Sequence, residues 1–84
     1  MTPPSNVPEA ARELDCRGMR CPRPIIELAK AFAEVDPGEM VAVIADDPAA
    51  QVDVEAWCRM RGQEYAGSQT AADGVPIYLV RRVS

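Results

Sequence analysis

Two segments of the chain carry the hydrophobic periodicity of a helix. Over residues 22–35, apolar residues recur three or four positions apart, and Pro22 and Pro24 can both occupy the first turn. The second segment covers residues 48–61, and we expect Asp47 to be its N-cap. The glycine that follows is suited to end this helix in a left-handed conformation.

Four other segments are typical of strands. A short extended stretch at residues 13–16 precedes the first helix, and residues 40–45 are apolar almost throughout, as in a strand buried on both sides. Residues 63–70 and 75–83 flank an Asp-Gly turn signal and read as a hairpin. The order β-α-β-α-β-β predicts a two-layer α/β (α+β) sandwich, in which two helices cover one face of a four-stranded mixed sheet.

The N-terminal residues differ from the rest of the chain. Residues 1–12 contain three prolines and no apolar periodicity, so we expect a flexible tail there and one domain over residues 13–84. A chain of 84 residues is long enough for one domain with a modest core.

Composition excludes several classes of function. The net charge of −4 disfavours direct binding to nucleic acid, and no apolar run is long enough to span a membrane. Three cysteines are too few for a disulfide framework, and no secretory signal is recognisable. We therefore expect the protein to work in the cytoplasm, where thiols stay reduced.

The stretch DCRGMRCPRP places a thiol at the start of the first predicted helix. Unpaired amide N–H groups and the helix dipole favour an anion there, so the pKa of Cys21 is expected to be lowered. Arg17, Arg20 and Arg23 add positive charge nearby. Together the three arginines can lower the pKa of the thiol and form a docking patch for an acidic partner. Taken singly, each arginine is explained nearly as well as an ordinary solvated surface charge.

The chain contains no histidine. A cysteine hydrolase needs a histidine as base and proton donor, and three scattered cysteines do not supply a four-ligand zinc site. A thiolate without such a partner suits chemistry in which sulfur attacks sulfur. We expect neither a metal nor a cofactor.

The same stretch resembles the signature of the TusA-like (SirA-like) sulfur carriers, Leu-Asp-x-x-Gly-Leu-x-Cys-Pro-x-Pro followed by a lysine. A later segment, VIADDPAAQVDVEAWCRMRGQEY, is similar to the family's Asp-Asp-Pro and helix–glycine region. Many members carry a histidine after that glycine, where this chain has Gln63. The matching signature residues are Leu14, Asp15, Gly18, Cys21, Pro22, Pro24 and Lys30.

The resemblance implies a cytoplasmic two-layer α/β protein that carries sulfur. Cys21 would receive sulfane sulfur as a transient persulfide from a cysteine desulfurase or a rhodanese-type donor. It would pass that sulfur to an acceptor protein, in a pathway such as tRNA thiolation, cofactor assembly or sulfur oxidation. Neither a membrane nor a nucleic acid is an expected direct partner.

Two other classes of function remain open. Cys16 and Cys21 could form the dithiol of a redox protein, although an inward-facing Cys16 in the first strand is favoured, and core packing is the better account of Cys58. Alternatively, the chain could be a non-catalytic binding or regulatory module with an unreactive Cys21. Lys30 lies too far along the helix to touch the thiol, at roughly 13 Å, which leaves it a surface or partner-contact role. Asp15 is expected to orient the loop before Cys21 or to stabilise its turn.

Overall fold

The computed structural model describes residues 7–84, which form a layer of two helices on a four-stranded sheet. This architecture confirms the two-layer sandwich expected from the sequence, including the order of its elements. In chain order the elements are β1 (Arg12–Asp15), α1 (Arg23–Phe32), β2 (Met40–Ile44), α2 (Ala50–Arg61), β3 (Glu64–Thr70) and β4 (Pro76–Arg81).

The sheet is mixed, with the strand order β1-β2-β4-β3. The strands β1 and β2 are parallel because α1 crosses over between them, and the other two pairs are antiparallel. A tight turn joins β3 to β4. In this turn the Ala71 N–H donates to the Val75 carbonyl at 2.8 Å. Gly74 has a φ of 89° in this turn, which explains the Asp-Gly signal in the sequence.

Both faces of the sheet bury apolar side chains. On the helix side, Val41 and Val43 of β2 pack with Leu28 of α1 and Trp57 of α2. The alternate side chains of β2 and β4 form a second cluster on the helix-free face, namely Ala42, Ile44, Ile77 and Leu79. A strand between two neighbours with apolar groups on both faces accounts for the uninterrupted apolar run in the sequence.

The prediction of a flexible tail is wrong for residues 7–12. Val7 is fully buried in the cluster on the helix-free face, because its apolar side chain covers sheet residues that no helix covers. The Ala11 N–H donates to the Met40 carbonyl at 2.8 Å, so pairing with β2 begins just before β1, which itself starts at Arg12. Residues 1–6 lie outside the described part of the chain.

The helix boundaries differ slightly from those expected. α1 ends at Phe32, because the next residues tighten into turns in which the Glu34 N–H donates to the Ala31 carbonyl at 3.0 Å. α2 begins at Ala50 with Ala49 as its N-cap, so the N-cap assigned to Asp47 is wrong by two positions. Its end is as expected, with Gly62 left-handed at a φ of 67°. Within residues 7–84, neither helix is long and apolar enough to cross a membrane.

Candidate functional site

Cys21 is the one exposed cysteine of the three in the chain. It lies directly before Pro22, the N-cap of α1, and the Cys21–Pro22 peptide bond is cis. Cys16 and Cys58 are 1% and 2% exposed, so both thiols are part of the core. Any reaction of a cysteine with another molecule in the folded state is therefore expected at Cys21.

The backbone amides at the start of α1 are already used. The Arg23 N–H donates to the Arg20 carbonyl at 2.8 Å, and the Ile25 and Ile26 N–H groups both donate to the Pro22 carbonyl at 3.1 Å. The two prolines of this turn supply no N–H at all. The expected set of free amides facing the thiolate is therefore wrong, because the helix consumes the donors that the prolines leave.

The loop before Cys21 is held by a turn and by an aspartate from the segment that follows β2. The Met19 N–H donates to the Cys16 carbonyl at 3.1 Å, and Gly18 between them has a φ of 77°, which a residue with a side chain rarely adopts. The Gly18 N–H points at the carboxylate of Asp46, at 3.1 and 3.2 Å from its two oxygens. Asp46 thus fixes the loop that precedes Cys21.

Asp47 holds the backbone of Cys21 itself. One of its oxygens accepts the Cys21 N–H at 2.9 Å, and the other accepts the Ala49 N–H at the same distance. These two hydrogen bonds, the one from Ala49 above all, lower the pKa of Asp47. A single ionised carboxylate therefore ties the start of α1 to the segment that leads into α2.

Asp53, in the first turn of α2, acts on the pKa of the Cys21 thiol. The main cause is a side-chain hydrogen bond in which the S–H donates to the carboxylate. This bond raises the pKa of Cys21 above its ordinary value, and partial desolvation and the negative charges of Asp53 and Asp47 act in the same direction. The expected lowering of this pKa is wrong, because carboxylates rather than guanidinium groups are next to the sulfur.

The three arginines predicted around Cys21 have different roles. The Nε of Arg17 is 2.8 Å from Asp73 and its Nη1 is 3.0 Å from Asp15, so its charge links the loop to the β3–β4 turn. This contact lowers the pKa of Asp73. Arg20 and Arg23 are exposed and form no ion pair within residues 7–84.

A surface pocket of about 320 Å³ lies beside the loop that precedes Cys21. It lies between the loop that precedes the cysteine and the segment that follows β2, and one wall is acidic. Its lining residues are Gly18, Met19, Arg20, Asp46, Asp47 and Pro48.

The remaining predicted residues lie farther away. Lys30 is exposed on α1, with its Nζ 3.8 Å from Glu27, as the expected surface role requires. Gln63 follows the far end of α2, a helix of 12 residues and about 18 Å, while Asp53 at the near end contacts Cys21. The Gln63 side chain accepts the Val83 N–H at 2.8 Å and so fixes the C-terminal segment. Pro24 is buried in the first turn of α1.

Asp53 lies in the segment that resembles the family's Asp-Asp-Pro and helix–glycine region, but the sequence alone assigned it no role. It stands four positions before Trp57 and three after Ala50, both of which are buried on the inner side of α2. An acidic residue in register with an inner helical stripe is unusual enough to mark a polar contact. That spacing was the available signal.

These observations define a class: a small two-layer α/β protein with a single exposed cysteine at a loop–helix junction. The family model described as Sulfurtransferase TusA matches residues 12–82. The chain belongs to this family, which supports a role in carrying or transferring sulfur.

One relative and one solved structure extend the comparison. A protein of Archaeoglobus fulgidus named "Putative sulfur carrier protein" is 36% identical over 72 residues, which cover 86% of this chain and 94% of that protein. The crystal structure of a SirA-like protein from Desulfitobacterium hafniense has a TM-score of 0.74 at 23% identity, and the match covers 87% of this chain and 99% of that one. At this identity the second comparison supports the fold.

Proposed function

We propose that the protein accepts sulfane sulfur as a persulfide on Cys21 and passes it to an acceptor protein. The observation that carries this proposal is the exposure of Cys21, next to two cysteines that are buried. Family membership and the name of the archaeal relative support the same role. The protein acts more as a carrier than as an enzyme on a small molecule.

The chemistry needs only sulfur atoms and a place for a proton. Cys21 attacks the outer sulfur of a donor persulfide, the donor's sulfur–sulfur bond breaks, and a new persulfide forms on Cys21. Transfer to the acceptor repeats the exchange with the roles reversed. No resident cofactor or metal is needed, and we place the reaction in the cytoplasm because Cys21 must stay reduced.

Partner proteins are expected to dock around the loop–helix junction. Arg20 and Arg23 flank Cys21, face solvent and are not ion-paired within the described residues, so they can meet acidic side chains of a partner. The proposed donor is a cysteine desulfurase or a rhodanese-type protein. The acceptor would belong to tRNA thiolation, cofactor assembly or sulfur oxidation, and genes adjacent to this one would discriminate among the three.

The decisive experiment measures sulfur loading by intact mass. Incubation with a cysteine desulfurase and cysteine is expected to add one sulfur atom, which a reductant removes. Cys21→Ser is expected to abolish the gain, and Cys58→Ala is the matched control that keeps it. Loading of the Cys21→Ser protein to the wild-type level would refute the proposal.

A variant of Cys16 tests the dithiol alternative. Because the Cys16 thiol is 1% exposed and burial raises its pKa, it is a poor partner for exchange in the folded state. Cys16→Ser is therefore expected to retain loading, provided that the variant folds. A Cys16–Cys21 disulfide formed under mild oxidation, together with loss of loading in Cys16→Ser, would favour the redox function instead.

A further inference from the structure

A second pocket lies at the C-terminal ends of the two helices. It has a volume of about 270 Å³ and is formed by the last turns of α1 and α2 and by the segment that follows β4. Cys21 precedes the other end of α1, a helix of 10 residues and about 15 Å. The pocket shares no lining residue with the one beside the Cys21 loop, so it belongs to a different part of the surface.

Two guanidinium groups line this second pocket, each beside an aromatic ring. The Cζ of Arg61 is 5.3 Å from the centre of the Trp57 ring, and the Cζ of Arg82 is 5.8 Å from the centre of the Phe32 ring. The two rings meet edge to face, with centres 5.0 Å apart and an angle of 80° between their planes. Because cations are attracted to aromatic faces at these distances, the aromatic pair holds both guanidinium groups at one pocket.

Arg61 is the guanidinium with unused hydrogen-bond donors. An arginine side chain has five N–H donors, and none of those of Arg61 makes a hydrogen bond or an ion pair with another residue in the range 7–84. The contact with Trp57 positions this group, and its charge is not neutralised by a carboxylate. Arg61 is therefore ready to bind an anion from solution.

Arg82 is held rigidly and has fewer unused donors. Its Nη1 donates to the Val35 carbonyl at 2.6 Å and to the Phe32 carbonyl at 3.4 Å, and its Nε donates to a backbone oxygen of Ser84 at 2.9 Å. These bonds compensate the partial negative charge at the end of α1. The Nη2 of Arg82 makes no hydrogen bond within the part of the chain that the structure describes, so it can assist Arg61.

The other walls of the pocket set the size and character of a ligand. Ala29 and Ala33 of the α1 side give it an apolar wall, and none of its lining residues among 7–84 is an aspartate or a glutamate. This is a positive pocket on a protein whose net charge is −4. Its volume of about 270 Å³ is just below the range of about 300–1,000 Å³ that is usual for drug-sized ligands. The pocket therefore suits a small molecule with one negative group.

We propose that this pocket binds a small organic anion. The carboxylate or phosphate of the ligand binds Arg61 and the Nη2 of Arg82, because a planar guanidinium matches the geometry of both groups. The apolar body of the ligand packs against Ala29 and Ala33. This inference does not depend on the proposed function, since Cys21 is not part of the pocket.

Trp57 provides the measurement, because it lines the pocket and is the one tryptophan of the chain. Titration with benzoate or with phenyl phosphate is expected to change its fluorescence saturably, with a dissociation constant of about 1 mM or tighter. Benzamide has nearly the shape of benzoate but no charge, and is expected to bind at least about tenfold more weakly. Saturable binding of either anion supports the proposal.

Arg61→Gln tests the role of the unused guanidinium. It is expected to weaken the binding of the anions at least about tenfold, because charge-assisted hydrogen bonds are lost. Arg59→Gln is the matched control, since Arg59 lies in the same last turn of α2 and carries the same charge but does not line the pocket. This control should bind the anions as wild type does. Arg82 is left intact because its hydrogen bonds hold the end of α1.

Three results would overturn the proposal. They are the absence of a saturable change with either anion up to about 10 mM, equal affinity for benzoate and benzamide, and equal weakening in Arg61→Gln and Arg59→Gln. An acidic peptide that binds where both small anions fail would assign the pocket to a protein partner instead, and would overturn the proposal as well. Circular dichroism establishes that each variant is folded.

The variant Cys21→Ser separates this inference from the proposed function. It is expected to bind benzoate and phenyl phosphate as wild type does, although it cannot be loaded with sulfur. Failure of sulfur loading in wild type would refute the proposed function and leave anion binding intact. Loss of anion binding in Cys21→Ser would show that the ligand occupies the region of the thiol, and would overturn the inference drawn from the second pocket.

Discussion

Cys21 and Cys58 share a raised pKa for different physical reasons. Burial is the main cause at Cys58, and raises the pKa of that thiol to about 11. At Cys21 the main cause is a hydrogen bond to Asp53, and the side chain remains exposed. A thiol suppressed by burial stays inert until the fold opens, whereas one suppressed by a carboxylate becomes reactive when that contact changes. The direction of a pKa shift alone therefore does not identify a reactive cysteine.

The largest expected effect is in the rates of thiol labelling. With iodoacetamide at pH 8, we expect Cys21 to be modified first, with Cys16 and Cys58 at least about a thousandfold slower, since labelling them requires opening of the core at about 4–5 kcal/mol. Peptide mapping by mass spectrometry measures the three rates. Labelling in urea is the control, because all three thiols are then accessible. Equal rates in native buffer would contradict the comparison.

The next largest effect is expected in how the free energy of unfolding depends on pH, when Cys58→Ala is compared with wild type. The pKa of Cys58 is raised from 9.0 to about 11 in the folded state, so between these values the folded protein binds the proton more tightly than the unfolded chain does. Stability is therefore lost as the pH rises through this window, and Cys58 contributes about 2–3 kcal/mol of that loss.

Urea unfolding at several pH values measures this loss. At pH 7 the Cys58→Ala variant is expected to be less stable than wild type by about 1 kcal/mol, because a buried sulfur is removed. The gap should close between about pH 9 and 10 and reverse towards pH 11, since the variant lacks the titrating thiol and wild type loses more than the initial difference over this window. A gap that stays constant with pH would show that burial does not control the Cys58 thiol.

The smallest effect is expected on the melting temperature when Arg17, in the loop that precedes Cys21, is substituted. Arg17→Gln removes the ion pair with Asp73, whose pKa is lowered by this contact. The pair stabilises the fold above the ordinary aspartate pKa of about 3.9, and its contribution is lost as the pH falls through the lower folded value. The difference in melting temperature between Arg17→Gln and wild type should be small at pH 7 and vanish near pH 2.

The same variant tests how independent the thiol is of this ion pair. Because Asp46 and Asp47 still hold the Gly18 and Cys21 amides, the alkylation rate of Cys21 is expected to change less than about twofold. A large change in that rate would mean that Arg17 controls the geometry of the thiol. The difference between Cys21 and Cys58 would then depend on Arg17 as well as on the hydrogen bond to Asp53.

Most of the fold was predictable because local patterns and tertiary packing agree. Buried Leu28 of α1 and Trp57 of α2 lie on the apolar stripes read from the sequence, and left-handed Gly62 ends α2. The burial of Val7 was not predictable, since a lone valine among prolines has no periodicity. Its partner surface exists only after β2 and β4 have paired.

The exposed cysteine of the candidate site was predictable, but the charges around it were not. The Cys-Pro-x-Pro signature located Cys21, and its exposure agrees with that choice. The flanking arginines suggested a positive environment because they are neighbours in sequence. Asp47 and Asp53 are 26 and 32 positions away from Cys21, and only the packing of α2 beside α1 brings them to the thiol.

The position of Val7 affects where the domain can be cut. The family match begins at residue 12, yet Val7 fills a place among Ala42, Ile77 and Leu79 on the side of the sheet that lacks helices. A chain trimmed to residues 12–82 would expose these side chains to water, and contiguous apolar surface of that kind promotes self-association. Truncation and fusion designs should therefore keep the five residues upstream of the first strand.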